Sequence, residues 1–132
     1  MKIKVILLLF VLSVSSGFAQ KGKLASADKK FDNLAYIDAI EIYKKVAEKG
    51  HKSVDLFQKL GNSYYFNANL LEANKWYGEL FALGQEVEPE YYFRYAQTLK
   101  SVGDYAKANE YLAKFSQKTR KIREDKKSKM LE

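Results

Sequence analysis

The stretch LGNSYYFNANLLEANKWY, from Leu60 to Tyr77, decides how this chain folds. Phe57, Leu60, Gly61 and Tyr64 fall at i, i+3, i+4 and i+7, one face of a helix running from about Ser53 to Phe66. Ser53 is placed to cap its start, with Asp55 near the positive end of the helix dipole. Asn67 to Asn69 read as a polar turn. Beyond it Leu70, Ala73, Tyr77 and Leu80 share one side of a second helix, about Leu70 to Leu83, and Gly84 stands where a left-handed C-terminal cap is expected. Gly61 and Ala73 lack bulk, so the two helices can approach closely while Tyr64 and Tyr77 fill the space beside them.

This hairpin recurs along the chain. Ala39, Ala73 and Ala108 are separated by 34 and 35 residues, and Tyr36, Leu70 and Tyr105 keep those spacings, as do Tyr43, Tyr77 and Leu112. A period of that length marks a helix-turn-helix unit repeated in a solenoid, each unit burying its apolar face against its neighbours. In the third unit Pro89 suits a first helical turn, and Tyr92, Tyr95, Ala96 and Leu99 form the buried stripe. Gly103 and Asp104 make the turn, and Tyr105, Ala108, Leu112 and Phe115 form the returning helix. The first unit is weaker. Its second helix is clear in Tyr36, Ala39, Ile40, Tyr43 and Val46 up to Gly50, whereas its first, around Lys23 to Asn33, offers only Leu24, Ala27 and Phe31.

Leu60 to Tyr77, and again YAQTLKSVGDYAKANEYL from Tyr95 to Leu112, resemble the tetratricopeptide repeat (TPR) pattern. The resemblance implies an all-α, right-handed solenoid of three helical hairpins, about residues 23–50, 53–84 and 89–117, with a charged helical tail over 118–132. The departures are Gln85 where a proline is usual and the eroded first helix. A narrower likeness extends from FAQ at the end of the leader through ADKKFDNLAYIDAIEIYKKV to KLGNSYYFN. It is similar to the amino-terminal TPR region of Bacteroidetes-type OmpA-family envelope proteins, of which this chain would be a fragment or a short relative. The later propeller and peptidoglycan-binding domains of that family have no counterpart in this sequence, so peptidoglycan binding is not carried over.

Residues 1–19 read as an export signal. Lys2 and Lys4 open it, Val5 to Val14 form an apolar run, and Gly17 and Ala19 supply small residues that place cleavage after Ala19. A run of that length is short for a membrane span, which needs roughly 20 apolar residues, although a retained anchor is the alternative. The expected address is the periplasm or the outer membrane. Without cysteine the chain has no disulfide, thiolate metal site or lipidated cysteine. Loss of Lys2 and Lys4 lowers the net charge from +7 to +5. Gln117 to Glu132 carries seven basic residues (Lys118, Arg120, Lys121, Arg123, Lys126, Lys127, Lys129) against Glu124, Asp125 and Glu132, so the repeats themselves are near neutral. The tail is read as a solvated helix rather than a nucleic-acid or lipid patch.

Catalytic chemistry finds little support. His51 is the single histidine and stands in a turn beside Gly50 and Lys52, without a general-base partner in sequence. There is no glycine-rich phosphate loop and no paired histidine ligands; no catalytic, metal or cofactor site is expected. The expected site is instead a partner-binding groove. Helical geometry sends Tyr65, Phe66 and Phe93 off the buried stripe, onto the face that lines the concave groove in the resembled family, together with Asp55, Gln58, Asn62, Glu90, Gln97 and Lys100. Aromatic anchors with interspersed amides suit a peptide or extended segment. Some TPR domains clamp a terminal carboxylate; Asn62 and Arg94 match two clamp positions, but Gln58 and Glu90 replace its lysines, and that function is rejected. A glycan or small ligand held by exposed aromatics is the alternative. A second expected surface is the carboxy-terminal edge, Tyr111, Leu112 and Phe115, left open once the third hairpin has packed and able to support weak self-association.

Overall fold

In the computed structural model, residues 19–132 are described; the export-signal reading falls almost wholly outside them. Among the described residues all regular structure is helical: α1 (19–32), α2 (Tyr36–Glu48), α3 (Val54–Phe66), α4 (Leu70–Ala82), α5 (Pro89–Ser101) and α6 (Tyr105–Met130). None of these helices is long and apolar enough to cross a membrane. The chain divides into two compact units, Met1–His51 and Lys52–Glu132.

In the first unit, α2 buries Ala39, Ile40, Tyr43 and Val46, the stripe expected from its 3.6-residue period. The helix before it is helical from residue 19, earlier than the apolar pattern alone indicates. Ala27 is its fully buried residue, and Phe31 meets Tyr36 edge-on with ring centroids 5.4 Å apart. A polar contact adds to this sparse apolar set: the Tyr43 hydroxyl donates to Asp28 Oδ1 at 2.6 Å. The turn between the helices places Leu34 at φ 61, and the Leu34 and Ala35 amides close it on Phe31 and Lys30 carbonyls.

The second unit pairs its helices in order, α3 on α4, α4 on α5 and α5 on α6. Each helix start has an identifiable cause. Ser53 Oγ accepts from the Leu56 amide, Asn69 Oδ1 from Glu72 and Asp104 Oδ1 from Lys107, while Pro89 opens α5. Gly84 and Gly103 end their helices at φ 67 and 82, in the left-handed region that a side chain disfavours. The close approach of α3 and α4 falls at Gly61, where a Cβ would lie 2.5 Å from Tyr77 Cδ1. Tyr77 is fully buried there. Between α4 and α5, Thr98 is the buried polar link: its Oγ1 donates to the Tyr95 carbonyl and accepts from Asn74 Nδ2 at 3.1 Å. The returning helix of the third hairpin and the basic tail form a single 26-residue element, α6, whose side chains from Arg120 onward are all exposed.

Candidate interaction face

The face shared by α3 and α5 is organised around Asn62. On α3, Asn62 and Phe66 are one turn apart; on α5, Tyr91 and Arg94 are likewise one turn apart, and the two pairs meet. Asn62 Oδ1 accepts from the Tyr77 hydroxyl at 2.8 Å and from Arg94 Nη1 at 3.0 Å, and its Nδ2 donates to the Tyr91 hydroxyl at 3.2 Å. The Arg94 guanidinium lies 5.0 Å from the Phe66 ring centroid and 5.6 Å from that of Tyr91, an arrangement that adds cation–π attraction to the hydrogen bond. Glu90 Oε2 accepts more distantly from Arg94 Nη2, at 3.5 Å.

Burial raises the phenol pKa of Tyr77 well above its ordinary value, and the nearby Arg94 charge offsets only part of that rise. Tyr91 is raised for the same leading reason. Both hydroxyls therefore serve as neutral donors and acceptors that hold Asn62 and, through it, the guanidinium.

Asn62 itself is not the exposed groove residue that its helical position predicts. It is 7% exposed, because Tyr77, Tyr91 and Arg94 close over its amide. The remaining predicted groove residues are distributed along the two helices. Phe66 and Phe93 are exposed at 45% and 40%, Tyr65 is half-buried against Phe66 and Tyr77, and Gln97 and Lys100 are half-buried. Asp55 pairs with Lys59 at 3.1 Å, and Gln58 Nε2 donates to Glu88 Oε2 at 3.0 Å, tying α3 to the residue that precedes α5. Phe93 turns toward α6, where its ring packs 5.5 Å from Phe115. Tyr91 is not among the predicted groove residues, and Arg94 enters the sequence reading only as a match to a clamp position. The signal for them was the i, i+3 pairing of an aromatic with an arginine outside the apolar stripe.

The carboxy-terminal edge also changes. Tyr111 is half-buried, with inward partners: its ring stands 4.8 Å from Phe81, 4.7 Å from Tyr95 and 6.0 Å from Tyr92. The bulk of Phe81 on α4 reaches α6 and gives Tyr111 an inward partner, a contact outside the repeat spacing. Leu112 and Phe115 are half-buried. His51 is exposed in the loop between α2 and α3.

This architecture has a counterpart among solved structures. The TPR domain of Arabidopsis FLU superposes with a TM-score of 0.63 over 77% of this chain and 95% of that one, at 17% sequence identity. The fold is TPR-like. No protein-family model matches the chain, and no curated protein matches its sequence. The structural likeness at this identity speaks to the fold alone, an all-α helical repeat.

Proposed function

We propose that this chain is a non-enzymatic interaction scaffold of the bacterial cell envelope, which takes an extended segment of a partner protein across the α3 and α5 face. The observation that carries this reading is the Arg94 guanidinium, tied to buried Asn62 and set against Phe66, a ring that is itself 45% exposed. A charged, preorganised donor beside an exposed aromatic supplies the two elements that dominate peptide interfaces: an anchor surface and a fixed hydrogen-bond partner. The envelope setting rests on the export-signal pattern of residues 1–19 and on the OmpA-like run that follows it.

Two measurements test the two halves. A photo-crosslinking residue placed at Phe66 should trap a partner in envelope extract, while the same residue at exposed Leu71 should not; Arg94→Ala should reduce the Phe66 crosslink without loss of helicity. Equal crosslinking at both positions would remove the site from this face. An alkaline phosphatase fusion to the full chain should be active only if residues 1–19 are present, and activity without them would overturn the envelope assignment.

A further inference from the structure

On another side of the second unit, the α4–α5 connection and α6 enclose a depression of about 370 Å³ that the groove does not use. Its floor is aromatic: Phe81, Tyr92 and Tyr111, with Phe81 4.8 Å from each of the other two ring centroids. Its rim is charged. Lys118 Nζ lies 5.0 Å from the centre of the Tyr92 ring and Lys114 Nζ 4.8 Å from that of Tyr111. Both ammonium groups already hold carboxylates, Lys118 with Glu86 at 2.5 Å and Lys114 with Glu110 at 2.6 Å. Those carboxylates are solvent-facing, Glu86 most of all at 86% side-chain exposure. Exposed pairs of this kind contribute little to stability, so an incoming carboxylate can take their place.

Beyond the rim, α6 continues as an exposed helix in which Arg120, Lys121, Arg123, Lys126, Lys127 and Lys129 stand against Glu124 and Asp125. Of the seat, Tyr111 and the rim lysines Lys114 and Lys118 lie on α6, and the basic end of the same helix runs on from them, while Phe81 and Tyr92 are supplied by α4 and α5. An aromatic-floored depression, two lysines at its mouth and a basic helix end beyond them are complementary to an acidic chain that carries an aromatic side chain. We propose that the depression and the basic end of α6 form a docking surface for an acidic protein segment carrying one aromatic residue. The aromatic side chain sits on Phe81, Tyr92 and Tyr111, and the flanking carboxylates pair with Lys114, Lys118 and the cations beyond. A single-stranded nucleic acid is the less suited occupant, since its binding relies on successive stacking platforms along a cationic groove, and from Arg120 to Lys129 the exposed end of α6 carries no aromatic side chain. The proposal uses neither Arg94 nor Phe66 and stands apart from the groove reading.

The test is fluorescence anisotropy of the full chain with two labelled peptides, glutamates around a central tryptophan and the same peptide with alanine in its place. The tryptophan peptide should bind about tenfold more tightly, the scale of one good anchor. Lys114→Glu with Lys118→Glu, both on the helix surface, should weaken it by about tenfold or more, and Glu86→Gln should strengthen it by freeing Lys118. Phe66→Ala should leave it unchanged. Equal binding of the two peptides would overturn the aromatic seat, and insensitivity to the double charge reversal, with circular dichroism unaltered, would overturn the rim. Preference for a single-stranded oligonucleotide or for phosphatidylglycerol vesicles over the tryptophan peptide would overturn the acidic segment as occupant.

Discussion

At Gly61 the requirement is for the absence of a side chain. Even a methyl group there would meet the ring of Tyr77, which is fully buried and has nowhere to retreat. Gly61→Ala should therefore lower stability by about 1 to 3 kcal/mol in urea unfolding, the usual penalty of overpacking, despite alanine's better helix propensity. Asn62 shows the opposite requirement, for a polar group with three partners in a buried place. Asn62→Ala should cost about 1 to 3 kcal/mol, because the Tyr77 and Tyr91 hydroxyls and Arg94 lose their common partner. The Tyr77 network also sets a pH response. Folding raises the Tyr77 pKa above the ordinary phenol value of 10.0, so the folded chain keeps this proton when the unfolded chain has lost it. The associated stability is full below about pH 10 and falls as the pH climbs above it. Tyr77→Phe should cost about 1 kcal/mol at neutral pH and flatten the alkaline decline, which chemical denaturation at neutral and strongly alkaline pH will resolve.

Among the elements, α3 was legible to its ends. The apolar period, the Ser53 cap and the polar turn at Asn67 to Asn69 all agree with the helix observed over Val54–Phe66, because each is a local property of neighbouring residues. Ser53→Ala should cost about 1 kcal/mol through the lost bond to the Leu56 amide, measurable as a lower thermal midpoint. The earlier start of α1 was illegible, since helix extension there proceeds through polar residues that carry no periodic signal. In α6 the sequence conveyed the polarity of the tail, and the structure adds that nothing among the described residues buries its side chains from Arg120 onward. Removing residues 121–132 should consequently change unfolding free energy by no more than about 0.5 kcal/mol, as for other exposed positions. The same truncation should weaken any acidic ligand of the docking surface.

On the scale of the molecule, the division into Met1–His51 and Lys52–Glu132 separates a sparse unit from an aromatic-rich one. The second unit contains its own network of rings, with Phe81 linked to Tyr92, Tyr95 and Tyr111 and Tyr77 linked to Tyr91 and Tyr95. Aromatic pairs add to the burial of their large surfaces, and here they connect α4, α5 and α6. A fragment spanning residues 52–132 should therefore retain helical circular dichroism and melt cooperatively. A featureless melt of that fragment would mean that its core is incomplete without residues 19–51.

The amino-acid sequence by itself determined that the chain is helical and much of the buried stripes of α2 to α5, since period, caps and turns act over a few residues, whereas on α6 only Ala108 of the expected side is buried and Tyr105 is exposed. Only the tertiary structure decided which polar side chains face inward and which aromatic residues meet. Asn62 became a buried hub because a tyrosine from α4 and a tyrosine and an arginine from α5 converge on it across gaps of 15, 29 and 32 residues. Tyr111 gained an inward partner and is half-buried because Phe81 reaches it from α4. Those outcomes depend on side-chain length and interhelix distance, quantities that come into existence only once the helices have packed.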